Sequence, residues 1–169
     1  MADPLSIAAS IIGLLAAAGK VSEALGPLIS NFKDTPRIAT SIYAEVNSSR
    51  IILGALETIF HDLSRTPVSR RQLIQVDHLI ATLTDGVLIF NELEPLVLQL
   101  GTSTERWRTR MRWTREKGSL DSFVSRLQLF KVSVTVMLNI LQWYVARQQA
   151  AFDIHLLAFI LLTNIANRI

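Results

Sequence analysis

Residues 120–144 read LDSFVSRLQLFKVSVTVMLNILQWY, and this stretch decides the fold. Leu120, Phe123, Leu127, Phe130, Val134, Met137, Leu141 and Tyr144 recur at alternating steps of three and four for more than three heptads. That spacing collects the apolar side chains into one seam of a bundle or coiled coil. Trp113 and Glu116 hold the same phase across Gly118, so the basic stretch before the seam reads as the front of one long helix. No alternating apolar and polar run elsewhere competes with helix.

Working back, Asp3 and Pro4 supply a cap acceptor and a first-turn proline. They open a helix from Leu5 to about Phe32, bent near Gly26-Pro27, where proline removes a backbone hydrogen bond. Thr35-Pro36 repeats the signal and opens a second helix, with Ile38, Ile42, Val46, Leu53, Leu56, Phe60 and Leu63 on one side. Ser69 caps a third, with Leu73, Val76, Ile80, Leu83, Val87 and Phe90 inward, which Pro95 should kink or end before Gly101. Residues 150–169 are either a short helix folding back or the start of something longer. The expectation is an all-α, antiparallel bundle of four main helices with additional short pieces. The bundle covers residues 1–149, followed by an apolar extension or linker over 150–169.

The 169 residues suit one domain; half are hydrophobic and 18% are charged. There is no cysteine, which excludes disulfides, thiolate metal sites and a cysteine nucleophile, and favours an intracellular setting. His61, His78 and His155 lack the spacing of metal ligands. Glu92 and Glu94 point to different sides of a helix, and Asp77-His78 has no nucleophile beside it. Gly13 to Lys20 imitates a phosphate loop but has five residues between its glycines, Val21 after the lysine and no preceding strand. The sequence therefore offers no catalytic, cofactor or metal site, and a non-enzyme is expected.

Two segments carry functional promise. From Pro4 to Gly19 there is no charge. The stretch is shorter than the roughly 20 apolar residues of an ordinary membrane span. Nor does it have the cationic leader of a secretory signal. Leu5, Ile7, Ile11, Ile12, Leu14 and Leu15 are the candidate membrane-inserting residues. Burying five such side chains is worth about 10 kcal/mol gross, whether the destination is a protein core or lipid. Two homes of similar depth allow a helix to be stored and later released.

The second segment is the patch of Arg106, Trp107, Arg108, Arg110, Arg112, Trp113 and Arg115. With Lys117 and Glu116 it carries +5, more than the chain's whole net charge of +3. Arginines interleaved with tryptophans suit an anionic membrane surface. The plainer reading, which outweighs it on composition, is a solvated helix end whose tryptophans join the core. Nucleic acid ranks last, because no nucleic-acid motif accompanies the patch.

The opening Met1-Ala-Asp-Pro-Leu-Ser-Ile-Ala-Ala-Ser-Ile-Ile-Gly-Leu-Leu15, the Phe32-Lys-Asp-Thr-Pro36 junction, and Leu127-Gln-Leu-Phe-Lys131 with Met137-Leu-Asn-Ile-Leu141 resemble the HeLo-like domain of fungal STAND-type NTPases. The likeness covers about residues 1–145. It implies a helical-bundle cell-death effector of fungal innate immunity and heterokaryon incompatibility, related to the necroptosis executioner's bundle. Such a domain is cytoplasmic, self-associates, and relocates to the plasma membrane, where the segment matching Leu5 to Ala18 enters anionic lipid. An NTPase switch or an amyloid signalling motif is the implied partner. No NTPase and no amyloid motif occur within these residues. The arginine-tryptophan patch is not part of the resemblance. The alternative is a non-lytic interaction and oligomerisation module.

Overall fold

The computed structural model describes residues 4–31, 37–64, 76–101 and 106–166, and among them every residue but Glu116 is helical. Five helices follow in order: α1 (Pro4–Asn31), α2 (Arg37–Ser64), α3 (Val76–Gly101), α4 (Arg106–Arg115) and α5 (Lys117–Ala166). α1 and α5 each pack against both α2 and α3, while α4 touches α3 and α5. The four long helices thus form a square, with α1 and α5 on opposite corners.

Chain direction follows from contacts. Leu14 faces Gly86, and Lys20 lies 3.7 Å from Glu94, so α1 and α3 run the same way. Arg126 pairs with Glu92, and Phe130 crosses Phe90 edge-on at 6.4 Å, so α5 runs opposite to α3. α1 and α3 therefore point one way and α5 the other, so packed neighbours of both senses occur in the bundle.

The seam of α5 sits where its spacing puts it. Leu120, Phe123, Leu127, Phe130, Val134 and Leu141 are buried, and Met137 packs against them half-buried. α2 likewise buries Ile42, Val46, Leu53, Leu56 and Phe60. Tyr144 and Leu63 have side chains outside the described set, as do Ser69 and Leu73 entirely.

One expectation needs correcting, and a second, that Pro95 kinks or ends α3, loses its second alternative. In α3 the buried series is Leu79, Leu83, Gly86, Ile89, Phe90, Leu93, Val97 and Leu100, while Val87 is exposed and Ile80 only half-buried. A glycine stands at the centre of this face, and counting apolar side chains alone passes over it. Pro95 does not end the helix either; α3 runs through it to Gly101. Pro95 points to solvent while Leu93, Val97 and Leu100 are held in the core, and their burial outweighs the one lost hydrogen bond.

The basic stretch is the front of a nearly continuous helix. The Glu116 amide donates to Arg112 O and the Leu120 amide to Glu116 O, both at 3.0 Å, which carries helical bonding across the turn. At the other end α5 continues without a break to Ala166, so residues 150–166 prolong it rather than fold back. Its 50 residues span about 75 Å at 1.5 Å each, well beyond α1, α2 or α3. Among the described residues Leu141 is its last buried side chain.

Candidate membrane-contact site

α1 buries Ile7, Ile11, Leu14, Ala18, Val21 and Leu25, a 4-3-4-3-4 series that faces α2 and α3. Its opposite face shows Ser6, Ala9, Ile12, Gly13, Ala16, Lys20 and Glu23 to solvent. Ile12 is 55% exposed, an isoleucine with no core to enter. Leu15 is half-buried against the core, and the Leu5 side chain is outside the described set. The candidate residues therefore divide: Ile7, Ile11 and Leu14 are stored inside, and Ile12 already faces out. α1 is a wall of the bundle, not its axis.

Polar contacts tie that wall to both of its neighbours. Ser22 Oγ donates to Asn47 Oδ1 on α2 at 3.1 Å, and Lys20 meets Glu94 on α3. Gly13 and Gly19 lie inside the helix, so no phosphate-binding loop exists there. They do not bring helices close either, since a methyl group at either would touch nothing within 4 Å.

The basic patch is only partly a surface. Trp113 is 2% exposed and belongs to the core, so it leaves the candidate contact set. Its 3-4 phase with the α5 seam turns it inward. Arg112, Arg115 and Met111 are exposed, and Arg112 donates to Gln99 O at 3.3 Å. Arg106, Trp107, Arg108 and Arg110 lie on α4 with side chains outside the described set.

His61 and His78 are exposed on separate helices. Among the described residues no group of three or more histidine, cysteine, aspartate or glutamate side chains could hold a metal. By length and composition two helical stretches are apolar enough to cross a membrane, Ser6–Ser30 of α1 and Lys117–Trp143.

Three features escape a reading based on the buried seam. The first is a polar clasp between α2 and α5. Lys131 Nζ donates to Glu45 Oε2 at 2.6 Å and Gln128 Nε2 to Glu45 Oε1 at 3.1 Å. Burial acts to raise the Glu45 carboxyl, but these hydrogen bonds and the Lys131 charge outweigh it and hold Glu45 below its ordinary value. Glu92 is likewise lowered by its hydrogen bond from Arg126. The second is an outward apolar row on α5, comprising Leu129, Val132, Val136, Ile140 and Trp143. Its mean step of 3.5 residues is visible in the sequence beside the inward series. The third is a groove of about 250 Å³ between α3 and α5, lined by residues including Asp85, Leu88, Leu129 and Ser133.

These features define an α-helical bundle in which two helical stretches are long and apolar enough to cross a membrane. Residues 2–154 match the family described as pigment biosynthesis cluster protein PigL N-terminal, and the chain belongs to that family. No curated protein and no solved structure matches it.

Proposed function

We propose that this domain is a membrane-permeabilising effector, non-enzymatic, which clusters and then passes α1 from the bundle into lipid. The observation that carries the reading is the position of α1: uncharged from Pro4 to Gly19, packed on two helices only along one face, and open along the other. The resemblance to HeLo-like domains supports the finer reading. In it the protein rests in the cytoplasm, answers an NTPase switch or amyloid partner, and acts on anionic lipid of the plasma membrane. The outcome is cell death in fungal innate immunity or heterokaryon incompatibility.

Energetics shape the mechanism. Withdrawing Ile7, Ile11, Leu14, Val21 and Leu25 into water costs about 10 kcal/mol, comparable to the 5–15 kcal/mol that holds a whole domain together. α1 therefore does not leave spontaneously. Lipid must receive it as it departs, and clustering must cover the faces of α2 and α3 that it vacates.

Dye release from vesicles rich in anionic lipid tests this. Ile12→Asp changes an exposed position, so the fold should melt within a few degrees of the parent, whereas a carboxylate at membrane depth costs about 3 kcal/mol. Leakage is expected to fall by about two orders of magnitude. Equal leakage from Ile12→Asp, or none from the parent protein, would refute the proposal.

A second reading, a non-lytic interaction module, is favoured by the outward apolar row on α5, which needs no membrane to be useful. Hydrogen exchange separates the two. Protection of residues 6–30 that is unchanged by vesicles supports the module, and protection that changes on adding vesicles supports the effector.

A further inference from the structure

We infer that the outward row of α5 is the seat of a second copy of this chain, packed antiparallel along α5. Leu129, Val132, Val136, Ile140 and Trp143 average 3.5 residues apart and occupy an arc of about 80° at 3.6 residues per turn. Leu129 is 69% and Trp143 56% exposed. An apolar arc this narrow fits a helix–helix seam; a helix lying in lipid presents a broader one. Gln128, Ser133, Thr135 and Asn139 flank the row with uncharged polar groups. Lys131 is the one charged residue between Leu129 and Trp143, and it is turned inward onto Glu45. From Leu129 to Trp143 the row itself carries no charge, so two copies of that stretch meet without like-charge repulsion.

Direction and register follow from two further residues. Arg147 stacks on the Trp143 ring at 5.2 Å and falls on the same arc as the row. Parallel copies would set Arg147 against Arg147. An antiparallel register that sets Val136 against the second copy's Ile140 also sets Trp143 against Ser133 and Arg147 against Leu129. Ser133 and Leu129 both line the groove beside α3. The indole of one copy therefore enters the other's groove, between Leu88 and Leu129. Its Arg147 comes to Asp85, a carboxylate at the groove that makes no ion pair among the described residues. Two-fold symmetry repeats both contacts. The stretch from Leu129 to Arg147 is about 27 Å long, so a strip ~10 Å wide buries about 500 Å² from the two copies together, the scale of a weak, reversible dimer.

The contact concerns self-association alone, so it is tested without lipid and does not depend on whether vesicles leak. Sedimentation of the 169-residue chain from about 10 μM to about 1 mM should show a monomer–dimer equilibrium. Val136→Glu with Ile140→Glu, both exposed positions, should yield a monomer whose far-UV spectrum and melting are those of the parent protein. Trp143→Ala should weaken the dimer at least about tenfold. Asp85→Arg and Arg147→Asp should each weaken it about tenfold, and the double charge swap should restore it to within a few-fold. A parent chain that stays monomeric, a dimer that survives Val136→Glu with Ile140→Glu, or a charge swap that fails to restore association would overturn the proposal.

Discussion

Gly86 is the residue on which three helices converge. A methyl group there would lie 2.5 and 2.8 Å from two atoms of the Phe130 ring and 3.2 Å from Leu14 Cδ2. α1, α3 and α5 meet over a single missing side chain. Gly86→Ala is expected to destabilise by about 1–2 kcal/mol, overpacking outweighing alanine's better helix propensity, and to lower the melting temperature by about 3–8 °C. Gly13→Ala has open space and should instead leave stability unchanged or raise it by up to about 1 kcal/mol. Calorimetry of the pair checks both. Glu45 gives a pH signature. Its carboxyl is held below 4.5, so the clasp stabilises fully above that pH and loses its contribution as pH falls through the folded value. Glu45→Gln should cost about 1 kcal/mol at neutral pH and flatten the stability profile below pH 4.5. A profile as steep as the parent's would deny the clasp that role.

At the scale of the helix, adjacent residues of α1 have opposite fates. Ile11 is fully buried and Ile12 exposed, so a carboxylate at Ile11 should unfold the bundle while one at Ile12 leaves it folded. Melting curves of the two variants decide this. Periodicity alone made much of each helix legible, because a seam of large apolar side chains repeats itself: all the described large side chains of the α5 series but Met137 are buried, and Met137 packs against them. It failed in α3, where the central contact is a glycine and has no side chain to count. It also did not set the end of α5, since nothing in residues 150–166 breaks a helix and nothing marks where the neighbouring helices stop. The division of the α1 candidates into stored and outward residues needed the packing partners, because Ile11 and Ile12 are chemically identical.

At the scale of the molecule, the square arrangement leaves α1 at a corner, and the account turns on whether that corner can open. The chain has no cysteine, so a tether can be placed cleanly. Lys20 on α1 and Glu94 on α3 approach to 3.7 Å at the surface. Replacing both by cysteine and joining them with a short reducible cross-linker pins α1 to the bundle without touching the core. Dye release from anionic vesicles, recorded before and after reduction, is then the direct test. The pinned protein should be silent and should leak like the uncross-linked variant once the tether is cut; leakage at the same rate with the tether intact would contradict the release of α1 altogether.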